Sequence, residues 1–571
     1  MLKTICAAAL ALCLAAGCTA HKDGQRTTAK EPAPHGHGQA HGSAHANAPA
    51  NARADSDWFA GLGAYTHPVS TKDAKAQRAF DEGLVLLYGF NHDEAVRRFQ
   101  RAAELDPKLA MAHWGVALAK GDNYNWDATP EEEKQAYDAL QKAIALSKEA
   151  PQPEKDYIAA LAKRYSNDAS PDYKALGRAY AGAMRDLSKK YPDDLDAATL
   201  FADSMMVLRP WKLWTKTGEP EEGTEELVAA LESVMRRNPD HPGANHLYIH
   251  AVEASNHPER ALEAAGRLPG LAPAAGHLVH MPSHIYQRVG DYEAASNSNV
   301  AAIEADEDYF AKVKPADGMY NMMYYPHNIH FLAASRAQEG RGKEALEAAE
   351  KLHKYAGPMV AHMPPLEGFM PMRDWVLVRF ARWDQIMKLP EPAKSMPTTH
   401  ALWRFARGMA CAGKGRVDDA SREHALLVEE AANIPTDHVF SMFNTSHAVL
   451  GIADKTLAAR IASAQGRVDE AVALLREAAK REDALNYTEP PDWINHAHEM
   501  LGGVLLKAKR YAEAEQAFRE DLRRHPRSGR SLFGLMQSLS AQGKEYDARL
   551  IEQQYKTAWR NAEAKLKVED L

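Results

Sequence analysis

The chain of 571 residues is predicted to be an all-α solenoid, in which antiparallel helix pairs stack into a superhelix. Three observations carry this. His246 and His280 lie 34 residues apart, as do His250 and His284, and 34 residues is the length of a helix–turn–helix repeat. A recurring sign marks each hairpin: an alanine about five residues after a turn, usually one containing glycine, then an aromatic residue or leucine four later, and proline near the end of the second helix. No period-two alternation of a half-buried strand interrupts these signs. One hairpin cannot bury its apolar face alone, so stacking builds a single elongated core.

The chain begins with Lys3 and an apolar stretch over residues 5–16, too short to span a bilayer. The sequence Leu14-Ala15-Ala16-Gly17-Cys18 resembles the lipobox of bacterial lipoproteins. The resemblance implies a signal peptide over 1–17, cleavage before Cys18 and a lipid on its sulfur. It also implies a membrane as partner. Thr19, where an aspartate would signal inner-membrane retention, points to the outer membrane and a periplasm-facing body. Cleavage removes Cys6 and Cys13, leaving Cys411 as the single free thiol and no intramolecular disulfide. Cys411 stands in a small-residue helix and is expected to be buried.

Residues 18–56 read as a flexible tether, rich in Ala, Gly, Pro and polar residues and without hydrophobic periodicity. His35, His37, His41 and His45 in the tether form a tract able to capture a metal transiently or to serve only as soluble linker. From 57 to 571 the chain reads as hairpins. The first clear unit runs from Phe90 through Ala95, Phe99 and Ala102 to Pro107. The last strong one runs from Tyr511 through Ala514 and Phe518 to Pro526. Gly290/Ala295, Gly340/Ala345, Gly415/Ala420 and Gly466/Ala471 mark turns between them. From about residue 72 to 550 these residues resemble the tetratricopeptide (TPR) consensus. There are 69 basic and 77 acidic residues with no basic block, which argues against nucleic acid as a partner.

The TPR resemblance assigns the histidines of the central section, about 240–340, to a surface. With the alanine of each second helix at repeat position 20, His277, His280 and His284 fall at positions 2, 5 and 9, with Gln287 and Arg288 at 12 and 13. In TPR proteins these positions line the concave groove. At 100° per residue the three histidines share an arc of about 60°. In the preceding repeat His246, His250 and Glu253 fall at 5, 9 and 12; in the following one His327 and His330 fall at 2 and 5. The expected rows are therefore His246–His280–His330, His250–His284 and His277–His327, with Glu253 and Gln287 as further ligands or supporting groups and Arg288 in the groove.

Histidines on neighbouring helices packed about 8–10 Å apart can meet one ion. A set rich in nitrogen and poor in carboxylate disfavours Ca and Mg and leaves Zn, Cu, Fe and Ni. The methionine-rich segments 318–325 (GMYNMMYY) and 361–372 (AHMPPLEGFMPM) tilt the choice toward copper, because thioethers suit Cu(I). Trp211, Trp214, Tyr320, Tyr324 and Tyr325 are expected to serve mainly as packing residues.

Residues 239–310, with PGANHLYIHAVEASNHPERAL and GHLVHMPSHIYQRVGDYEAA, then TEPPDW at 488–493 and SLFGLMQSL at 531–539, resemble a widespread group of bacterial TPR proteins defined by sequence. The resemblance implies the fold and the phasing and supplies no reaction. His496 and Glu499, at positions 2 and 5 of a later helix, form a polar wall expected to lie far from the main cluster. The sequence has no phosphate loop, nucleophile elbow or H-E-x-x-H motif. Three readings stand: a metal-binding solenoid in metal handling or scaffolding (Cu or Zn favoured), a metalloenzyme using the histidines for hydrolytic or oxidative chemistry, and a metal-free scaffold with a protein or peptide in its groove.

Overall fold

The computed structural model describes residues 57–315 and 318–571. Cys18, the lipobox and the tether histidines lie outside the described residues. Within these residues the fold is all-α. Helix pairs such as Ala74–Tyr88 with His92–Leu105, Ala110–Lys120 with Pro130–Leu146, Tyr325–Gln338 with Gly342–Ala356, Pro397–Gly413 with Val417–Asn433, Ser446–Ala464 with Val468–Asp483, and Ala497–Lys507 with Tyr511–Arg524 follow one another along the chain. No strand forms among the described residues, only the isolated bridges Trp214–Pro220 and Val439–Thr445. None of their helices is long and apolar enough to cross a membrane.

Local chemistry explains where the helices begin and turn. Asp73 accepts hydrogen bonds from the amides of Lys75 and Ala76, and Thr129 with Glu132 forms a capping box ahead of Pro130. Gly290, Gly340, Gly415 and Gly466, the expected turn glycines, all have φ between 73° and 78°, a left-handed conformation that costs glycine nothing. Aromatic rings lock neighbouring helices together. Phe99 fills the space beside Gly83 and Gly115, and Phe518 that beside Gly502 and Gly534, each so closely that a Cβ on the glycine would collide with the ring. Cys411 is buried as expected, 1% exposed.

The superhelix curls until its C-terminal half meets its middle. Trp211 lies 5.1 Å, centre to centre, from Phe443, Lys216 Nζ donates to the Ala484 carbonyl, and the Arg288 guanidinium sits 5.4 Å from the Tyr487 ring centre. The concave side thereby becomes a cavity of about 2720 Å³, walled by residues from Phe90 to Pro526. His496 opens onto this cavity, and so do Gln287 and Arg288. The separation along the chain expected for His496 is closed up by curvature.

Phe518 is fully buried, so Phe518→Ala should cost about 3–5 kcal/mol. Tyr546→Ala, at a side chain 67% exposed, should change stability by less than about 0.5 kcal/mol. Urea unfolding of the two variants checks this; equal losses would contradict the packing described.

Candidate metal centre

Three successive first helices carry the central histidines. His246 and His250 lie on Pro242–Val252 and His277 on Gly276–His280. That second helix breaks at Met281 and resumes as Pro282–Arg288, bearing His284. His327 lies on Tyr325–Gln338, which a π-helical turn, Tyr320–Tyr324, leads into. The break at Met281 has a local cause, because Pro282 has no amide to continue the ladder. Such π turns are often found at functional sites. Asp306 ties the helices in place. It accepts from Tyr320 Oη and from Asn328 Nδ2, both at 2.8 Å, and Tyr320 Oη in turn accepts from the His277 amide at 3.1 Å. Gly276 packs so tightly on Asp306 that a Cβ would lie 2.0 Å from its carboxylate. Burial pushes the Asp306 carboxyl up to about 7.

Among the described residues the ligand atoms gather in two all-histidine groups of three, His246/His250/His277 and His280/His284/His327, with the atoms of each group within 4.8 Å of one another; His250/Glu253/His284 forms a third such group that joins them, and Glu482/His496/His525 and His67/Asp194/Asp196 lie apart. Ring centres in the first group are 4.9, 4.9 and 6.2 Å apart; in the second they are 4.9, 4.7 and 5.8 Å apart. Outer partners fix which nitrogen is presented. His246 Nδ1 donates to the Tyr88 carbonyl, His250 Nδ1 to Glu253 Oε1 at 2.9 Å, and His284 Nδ1 to Glu253 Oε2. His280 Nδ1 donates to Asn299 Oδ1 at 2.6 Å, and the Asn299 amide is oriented by its own bond to the Ala295 carbonyl. Each of these four imidazoles is left with its Nε2 lone pair facing inward.

Those lone pairs lack ordinary partners. Among the described residues, Nε2 of His246 and of His250 and both ring nitrogens of His277 are buried without a hydrogen bond. Each such group costs about 1–3 kcal/mol. His280 Nε2 faces His284 Nε2 at 2.9 Å, a contact between two lone pairs unless a proton or a metal ion lies between them. Burial, with the neighbouring imidazoles, holds His246, His277, His280 and His327 well below the usual histidine range, and it also lowers His250. At His284 burial is outweighed by the Glu253 carboxylate and the pKa rises. Burial works to raise Glu253 too, but His284 and His250 prevail and hold it at about 2.

Several expectations about this region need correction. The histidines do not line an open groove. His246, His250 and His277 lie beneath a layer of aromatic rings that faces the cavity, while His280, His284 and His327 pack on Phe331. Phe90 stacks over His250 and His277 and meets His246 edge-on, while Tyr124 and Trp211 cover His250 and Tyr324 covers His277. The expected row His250–His284 is brought together, with ring centres 5.5 Å apart, but the other cross-helix histidine contacts run from positions 5 and 9 of one helix to position 2 of the next, because neighbouring helices are staggered by about a turn. His330 therefore leaves its expected row. Position 2 of the following repeat holds no histidine, and its ring packs on Phe369. Gln287 lines the cavity and belongs to neither group of three, as does Arg288, which is held by the Ser255 carbonyl at 2.9 Å. Trp211, Trp214, Tyr320 and Tyr324 wall the cavity as well as packing, whereas Tyr325 packs against Phe310 and Tyr355. Met319, Met322, Met323 and Met363 line the cavity too, so the methionine-rich segments serve that space.

Phe90, read in the sequence as the start of a hairpin, and Trp211, read as a packing residue, owe their place over the histidines to an unusual backbone. Their φ values are 55° and 59°, a left-handed conformation costing a non-glycine residue about 1–2 kcal/mol. Phe90 takes the turn position that glycine holds at 290, 340, 415 and 466, and the signal available was an aromatic residue where the repeat favours glycine. Strain of this kind tends to persist where surrounding structure demands it. The later polar wall is different. Arg379 donates to Gln338 Oε1 at 2.9 Å, so the Gln338 amide donates to His496 Nε2 at 2.8 Å and His496 Nδ1 donates to Glu482 at 2.9 Å. Both nitrogens of His496 are satisfied.

No protein family and no curated relative matches the chain. Solved structures that are similar include a human IFIT1 dimer with m7Gppp-AAAA, at 14% identity and TM-score 0.33 over 84% of this chain and 95% of that chain. Others are Cut9 in the APC/C Cut9–Hcn1 hetero-tetramer, at 14% and 0.32 over 85% and 76%, and yeast Tom70, at 14% and 0.30 over 85% and 99%.

His330 supplies a pH test separate from the two groups. Burial alone lowers it to about 3. The unfolded chain takes up a proton near 6.5 while the folded one stays neutral, so the unfolded state binds more protons between about pH 6.5 and 3 and stability falls with pH there. The stability of His330→Leu relative to the parent should rise by about 1.4 kcal/mol for each pH unit below about 6 and stay constant above 7. Urea unfolding at pH 7.5, 6 and 5 measures it; a pH-independent difference would contradict the burial of a neutral ring.

Proposed function

We propose that this TPR protein is a transition-metal-binding protein whose buried imidazole core takes Cu or Zn, with Fe or Ni as lesser fits, and that it works in metal handling. The inward, pre-oriented and unpartnered Nε2 atoms carry this reading. An imidazole bound at 2.0–2.1 Å has its ring centre about 3.2 Å from the ion, and tetrahedral angles then set neighbouring ring centres about 5 Å apart. The observed separations run from 4.7 to 6.2 Å. The outer partners match those that commonly orient metal-bound histidines, namely carboxylate, carbonyl and amide oxygens. Neutral imidazole is the ligand form, and burial favours it at His246, His250, His277, His280 and His327.

A metalloenzyme is the second reading, supported by the cavity that abuts the core across one layer of rings. With bound metal, an open coordination position would activate water or oxygen. The lipobox resemblance at Cys18 adds the proposal of a lipid-anchored protein at the outer membrane, facing the periplasm. Cys18→Ala should then move the protein from the membrane fraction to the soluble one; a variant still membrane-bound contradicts the anchor.

Metal content and affinity of protein purified without a histidine tag test the reading. The double variant His280→Ala/His284→Ala removes two ligands of one group of three and should lower the metal content. His330→Ala should change it less than about twofold. Undiminished binding in the double variant would move the site elsewhere, and absence of binding in the parent would give the lead to a scaffold holding a protein or peptide partner.

A further inference from the structure

The two groups of histidines are one motif built twice. In each, a first helix gives an i,i+4 pair from repeat positions 5 and 9, and the next first helix gives position 2. His246/His250 take His277, and His280/His284 take His327. The pairs lie 34 residues apart, so the second group is the first advanced by one repeat. The array stops after two. The following repeat has His330 at position 5 but Ala334 at position 9. The two all-histidine groups have no member in common, and each has ring separations compatible with a single ion; they abut, with His250–His284 and His277–His280 ring centres 5.5 and 5.7 Å apart.

Glu253 joins them. Its Oε1 accepts from His250 in the first group and its Oε2 from His284 in the second, and it is 1% exposed. One carboxylate thus orients a ligand of each group and offsets positive charge at both. We infer that the core holds two metal ions, one per group of three, coupled through the two oxygens of Glu253. This rests on the metal-binding reading above and adds nuclearity and coupling to it. Buried charge is costly unless compensated, and two monovalent ions beside a single carboxylate leave less uncompensated charge than two divalent ones. Cu(I) is therefore the favoured probe.

The experiment titrates the full chain, with His35, His37, His41 and His45 replaced by Ser, with Cu(I) under anaerobic reducing conditions and separately with Zn(II), reading stoichiometry by native mass spectrometry. The parent should take two equivalents of at least one ion. His277→Ala and His327→Ala should each retain one equivalent, and the double variant none. His277→Gln and His327→Gln serve as alternates should either alanine variant misfold by circular dichroism. Glu253→Gln removes the negative charge that offsets both ions and turns one of the two acceptors into a donor, so it should weaken both binding steps by about 10–100-fold, unequally. A limit of one equivalent for both ions, loss of both equivalents in a folded single-histidine variant, or a Glu253→Gln effect confined to one step would overturn the paired centre while leaving metal binding intact. No binding of either ion would instead remove the metal-binding reading itself.

Discussion

Imidazole nitrogens buried without partners govern the middle of this superhelix. A protein interior tolerates few unsatisfied polar groups because each has given up its water. Here Nε2 of His246 and His250 and both nitrogens of His277 do so together, beneath a common aromatic layer. The surrounding structure makes the arrangement more specific. Tyr88, Glu253 and Asn299 take the outer nitrogens, which fixes the direction of the inner ones. Even the Tyr88 side chain is anchored, its hydroxyl donating to buried Asp196 at 2.5 Å, and Asp196 also accepts from Tyr65 and His67.

The aromatic layer separates a buried core from a large concave cavity. Phe90 and Trp211 hold backbone conformations that glycine would hold more cheaply, and both place their rings against the histidines. A layer of this kind shields His246, His250 and His277 from solvent, and their burial lowers all three pKa values. It also leaves the cavity, with its methionines, aromatic rings and Arg288, in position to admit something to the core or to present something to it.

Much of this was legible in the chain, and particular residues show why. The spacing of His246 from His280 revealed the repeat, and the alanines and glycines at turns phased it, because helix packing restricts those positions to small residues. His246, His250, His277, His280, His284, His327 and Glu253 were all found by phasing. Their grouping was not, because phasing gives the face of a helix and says nothing of the axial stagger between neighbours. That stagger pairs position 5 with position 2 and strands His330 beside Phe369. The cavity was hidden for a related reason. Trp211 meeting Phe443 depends on curvature summed over many repeats, which no local pattern specifies.

The most direct measurement of the central claim is X-ray absorption at the metal edge of the loaded, untagged protein. The account predicts a first shell of nitrogen at about 2.0–2.1 Å, with the outer-shell scattering of about three imidazoles per ion. A first shell of oxygen or sulfur, or a spectrum unchanged in a His246→Ala/His250→Ala/His280→Ala/His284→Ala variant that disrupts both groups of three, would contradict it.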